Sequence, residues 1–74
     1  MSLVQYLQLS VREGEMMKKW DVVELIESYE GILKGTNGTI VLDYNSKDCE
    51  VEFFDEDGNT IDVITIPKKI LRLT

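Results

Sequence analysis

From Trp20 onward, apolar and polar positions alternate in short runs separated by turn-forming residues. Trp20–Ile26 is rich in β-branched and aromatic side chains and predicts a first strand. Glu27–Leu33 lacks a clear period and predicts a long loop. Leu33–Thr39 carries Gly35 and Gly38 with Asn37 beside the second, residues that accept positive φ and mark a tight turn. Thr39–Tyr44 predicts a second strand, and Asn45–Asp48 is polar turn chemistry. In Cys49–Phe54, Cys49, Val51 and Phe53 share one face while Glu50 and Glu52 share the other, which predicts a third strand. Asp55–Asn59 predicts a hairpin turn around Asp57-Gly58. Thr60–Ile66 predicts a fourth strand whose pattern slips phase near Val63–Ile64, implying a bulge or bend. Pro67 ends it, because proline cannot donate to a ladder. Lys68–Ile70 is expected to form one short helical turn, and Leu71–Leu73 a brief last strand.

Five short strands, a long first loop and tight later turns describe an all-β chain curled into a small barrel with a short 3-10 turn before its last strand. Closing the sheet solves the edge problem that a five-stranded open sheet of this size would have. The expected core is Val23, Leu25, Ile40, Leu42, Val51, Phe53, Ile64, Ile66, Ile70 and Leu73.

The segment before the first strand reads differently. Residues 3–11 mix helical and strand periods, with neither a basic leader nor a cleavage site that would make a signal peptide. Arg12-Glu13-Gly14-Glu15 can be written in purine-rich codons like those of a bacterial ribosome-binding site, and Met16 and Met17 follow at once. The expectation is a natural start at Met16 or Met17. Residues 1–16 form an N-terminal extension, 1–15 as translated leader, and residues 17–74 the barrel domain. The alternative is a short added strand or helix that packs on the barrel or mediates dimerisation.

Composition narrows the chemistry. The chain has 74 residues and a net charge of −6, with no histidine and one cysteine. Imidazole chemistry, an internal disulfide and a cysteine-rich zinc site are excluded. No apolar run approaches the roughly 18 residues of a membrane span. These features describe a cytoplasmic protein with no cofactor. The charge is concentrated after residue 20: residues 21–74 hold 5 basic and 12 acidic side chains, a net of −7. Such a module repels phosphate backbones and anionic membranes and suits a basic protein partner. Solubility alone also accounts for the charge.

The order Asp21-Val22-Val23, Leu33-Lys34-Gly35, Gly38-Thr39-Ile40-Val41, Glu50-Val51-Glu52-Phe53, Asp55-Glu56-Asp57-Gly58, Ile64-Thr65-Ile66 and Leu71 resembles the small bacterial proteins of domain of unknown function 4926 over about residues 20–73. The resemblance implies an SH3-like β-barrel and carries no activity or catalytic residues. Members usually have proline in the first loop, whereas Ser28-Tyr29-Glu30 does not. Gly38-Thr39-Ile40-Val41 is also similar to a segment of ribosome-associated small barrels, which bring basic residues to RNA.

Candidate sites are few. Asp55, Glu56 and Asp57, with Glu50, Glu52 and Asp62, offer oxygen ligands for calcium or magnesium, but Gly58 is misplaced for an EF-hand and a solvated turn explains them. No serine has a histidine, and Cys49 is in phase with core residues, so no enzyme is expected. The tentative partner-binding residues are Trp20, Tyr29, Glu30, Tyr44, Phe54, Asp55 and Asp57, because aromatic and acidic side chains beside the long loop and hairpin suit basic or proline-rich segments. The leading expectation is a non-catalytic interaction module, an antitoxin- or immunity-like protein being one instance. The alternative is nucleic-acid or ribosome binding through Lys34, Lys47, Lys68, Lys69 and Arg72. A self-associating structural protein, as a homodimer, is a third class.

Overall fold

The computed structural model describes residues 16–74. The expectations for residues 1–15 lie outside the described residues. Five antiparallel strands form one sheet: β1 (Val22–Leu25), β2 (Asn37–Asp43), β3 (Asp48–Phe54), β4 (Thr60–Pro67) and β5 (Leu71–Leu73). A 3-10 turn, Lys68–Ile70, precedes β5. This is the all-β, five-stranded architecture expected. The strand order is β4-β3-β2-β1-β5, so β4 and β5 are the two ends of the sheet. Both ends contribute to the same core, Ile66 from one and Leu71 from the other. The sequence predicts a closed sheet; among the described residues no ladder joins β4 to β5, and the two end strands share the core alone.

Alternation places the core. Val23 and Leu25 of β1, Ile40 of β2, Cys49, Val51 and Phe53 of β3 and Ile66 of β4 are fully buried. Met17, Ile32, Ile70 and Leu71 complete the cluster, while Ile64 and Leu73 pack half-buried against it. Leu42 was expected inside and is instead 44% exposed. The cause is a register shift between Ile40 and Leu42: Ile40 pairs with Val51, but Leu42 pairs with Glu50. The extra residue, Val41, turns Leu42 to the outer face and Asp43 inward.

That inward turn has a partner. The Lys68 ammonium, 3% exposed, donates to Asp43 Oδ1 at 2.7 Å and to the Met17 carbonyl at 3.3 Å. A lysine this buried needs its charge and donors satisfied, and both groups supply that.

Two sequence details also resolve differently. The slip in β4 is not at Val63–Ile64, where pairing with β3 runs evenly; the shift lies between Asp62 and Thr60, opposite Phe53 and Phe54. Gly35 does take positive φ (94°) in the turn before β2. Gly38, by contrast, is required by close approach: a Cβ there would lie 2.6 Å from Val51 Cγ1 and 2.8 Å from the Glu52 carbonyl oxygen.

Candidate interaction surface

The β3–β4 hairpin holds the densest charge. From Asp48 to Pro67 there are seven carboxylates and no lysine or arginine. Strand pairing arranges part of that charge on the outer face. Val22, Thr39, Glu52 and Val63 align across four strands, and Leu42, Glu50 and Thr65 align in the next outward row. Glu52 accepts a hydrogen bond from the Thr60 hydroxyl at 2.6 Å, and Glu50 accepts one from the Tyr44 hydroxyl at 2.8 Å. The bond to Glu50 is the main cause that raises the Tyr44 pKa. Val22, Leu42, Ile61 and Val63 are each close to half exposed. Ordered carboxylates therefore stand among exposed aliphatic side chains on an outward surface.

The turn of this hairpin is organised by Asp55. Its Oδ1 accepts the backbone N–H groups of Asp57 and Asn59, both at 2.9 Å, while Gly58 supplies a φ of 87°. The Asn59 backbone N–H is the leading cause that holds the Asp55 carboxyl below the ordinary range. Local hydrogen bonding thus explains why this carboxylate is here. Among the described residues, no group of three or more histidine, cysteine, aspartate or glutamate side chains is placed to hold a metal ion.

The seven residues singled out from sequence occupy several places. Phe54, Asp55 and Asp57 adjoin one another on the β3–β4 connection, Phe54 half-buried on the outer face opposite Asn37. Tyr44 lies at the other end of the β2–β3 ladder, beside Glu50. Those ends are about 20 Å apart at strand rise. Trp20 precedes β1, 65% exposed, with φ 77° and its N–H bonded to the Ile40 carbonyl; Lys19 Nζ stands 5.0 Å from its ring centroid. Tyr29 packs on the core and forms a bridge with Ile32, and Glu30 follows at φ 50° in the loop turn. The outer-face residues Val22, Leu42, Ile61 and Val63 were not singled out. Leu42 was hidden by the bulge at Val41, whereas Ile61 and Val63 were legible in principle as the odd positions of β4.

Cys49 is buried, and burial pushes its thiol up to about 11. It packs as a small apolar side chain, as its phase with Val51 and Phe53 implied.

A model of the family described as Domain of unknown function (DUF4926) matches residues 20–73. The chain belongs to this family. The domain of unknown function 4926 match takes in all five strands, from the residue before Asp21 to the end of β5. No curated protein and no solved structure matches the chain. Among the described residues, no helix is long and apolar enough to cross a membrane.

Proposed function

We propose that this member of domain of unknown function 4926 is a non-catalytic, cytoplasmic interaction module whose β3–β4 outer surface binds a basic segment of a protein partner. The observation that carries this reading is the run of seven carboxylates without one cation between Asp48 and Pro67, of which Glu50 and Glu52 stand in the outer rows with exposed Leu42 and Val63. Charge complementarity brings a basic partner to such a face, and the aliphatic side chains give it something to bury. Neutralisation of a basic toxin is one instance of this role. The non-catalytic part rests on a chain without histidine and a cysteine that is buried with a raised pKa.

The nucleic-acid alternative draws less support. Of its five cations, Lys68 is buried on Asp43 and Arg72 is paired with Glu24. Calorimetric titration with a lysine-rich peptide at low and at high ionic strength tests the reading. Binding that weakens with salt, with no heat from a glutamate-rich peptide or from RNA, is the expected result. RNA binding without peptide binding would reject it.

A further inference from the structure

The two ends of the sheet differ. β5 is three residues long and carries the Arg72–Glu24 ion pair, whereas β4 is eight residues long and, among the described residues, is paired only with β3. Short or charged strands blunt an edge, and lysine is the usual guard. β4 has no lysine; its single charged side chain is Asp62.

Hydrogen-bond parity shows which groups β4 leaves open. In an antiparallel ladder, alternate residues turn both backbone groups toward the neighbour or away from it. The Val63 N–H is taken by the carboxylate of Asp62 at 2.8 Å, which places Val63 among the residues facing away from β3. Thr65 and Pro67 share that parity. A proline there costs the ladder nothing, since its missing N–H would have pointed outward. Independent contacts agree across the sheet: Ile40 exchanges backbone bonds with Asp21 and Trp20 on the β1 side, so Thr39 and its partner Glu52 face each other. Glu52 then turns away from β4, and so does its β4 partner Val63.

Resting on the proposed preference for a basic partner, we propose that the free edge of β4 receives an extended basic strand, which pairs with the backbone of Val63 and Thr65 and draws the Asp62 carboxylate off the Val63 N–H onto a partner lysine or arginine. The added strand would set basic side chains next to Val63 and Thr65, within long-side-chain reach of Glu50 and Glu52 on the same face. On the inner face, which Asp62 shares with Ile64, an apolar side chain would cover half-buried Ile64 and a lysine or arginine two positions along the partner strand would meet Asp62. Asp62 makes the edge selective. A neutral strand leaves the displaced carboxylate to water alone, and a second copy of this chain would bring another wholly acidic hairpin against the first. A basic strand supplies the carboxylate with a new counter-charge.

The test is amide hydrogen exchange by NMR on the full chain, free and with an acetylated, amidated peptide of alternating lysine and valine in which one valine is replaced by lysine to stand opposite Asp62. In the free, dilute protein, Val63 and Thr65 are expected to exchange at least about tenfold faster than Ile64 and Ile66, which bond to β3. Saturating peptide is expected to slow Val63 and Thr65 by about tenfold or more while leaving Ile64 and Ile66 little changed. Peptide binding without that protection overturns the edge proposal and leaves the basic-partner reading standing. Absence of binding overturns both. Protection of Val63 and Thr65 in the free dilute chain, or protection that grows with protein concentration alone, assigns the edge to this chain itself and overturns the proposal. Asp62→Ala is expected to bind the peptide several-fold more weakly with a shallower salt dependence; unchanged affinity contradicts the transfer of Asp62 to the partner.

Discussion

Lys68 lies 51 positions along the chain from Met17 and 25 from Asp43, yet its ammonium touches both, 3.3 Å from the Met17 carbonyl and 2.7 Å from the Asp43 carboxylate. The contact joins the segment leading into the first strand, the bulged end of β2 and the turn after β4. Removing only Asp43 strands a buried charge. Asp43 is itself about one-third exposed, so water relieves part of the loss. Asp43→Ala should cost about 2 kcal/mol, below the range for fully buried pairs, and Lys68→Met should cost less because it leaves no unpaired ammonium. Urea denaturation of the two variants checks the order; a larger loss in Lys68→Met contradicts it.

Gly38→Ala should destabilise by about 1–3 kcal/mol. Its new Cβ meets the Glu52 backbone oxygen as well as Val51, and the backbone of a central strand cannot yield as a side-chain tip can. The same change at Gly38 also separates close approach from turn conformation, since Gly38 has no positive φ while Gly35 does. A thermal melt of Gly38→Ala equal to that of the parent chain would contradict this reason for the glycine.

Asp55 gives the hairpin an acid limit. Its folded pKa lies below the ordinary 3.8, so its contribution is fully present above that value and is lost as pH falls through the lower folded value. An NMR titration of the Asp55 carboxyl should show a midpoint below the ordinary 3.8; a midpoint at or above it would contradict this account of the turn. Asp55→Ala should remove the protection of the Asp57 and Asn59 amides; retention of both would show that other groups hold the turn.

Cys49 should resist thiol reagents while the chain is folded. With its pKa at about 11, only about one part in a thousand is thiolate at pH 8, and the side chain has no exposed surface. Labelling should follow global unfolding across a denaturant series. Rapid labelling in native buffer would show that β3 opens locally.

Much of this fold is legible in the chain. Strict alternation from Cys49 to Phe53 places β3 and its buried face, Asp57-Gly58 places the hairpin, and Pro67 marks the change from β4 to the 3-10 turn. These signals are local, set by the two-residue period of a strand or by one residue's backbone preference. Leu42, Met17 and Lys68 are not legible in that way. A single inserted residue at Val41 reverses the faces that follow it, and the environments of Met17 and Lys68 are made by segments far apart in sequence. The acidity of the hairpin is plain from composition, but the outward rows joining Glu50 and Glu52 to Leu42 and Val63 depend on strand register. So does the outward N–H of Val63.

Chemical-shift mapping of the full chain against the lysine-rich peptide, repeated at low and high salt, bears most directly on the role of the hairpin. Shifts should gather on Glu50, Glu52 and residues 61–65 and fade as salt rises. Shifts gathered instead on Lys34, Lys47 and Lys69, or binding indifferent to salt, would contradict an acidic surface that recruits a basic partner.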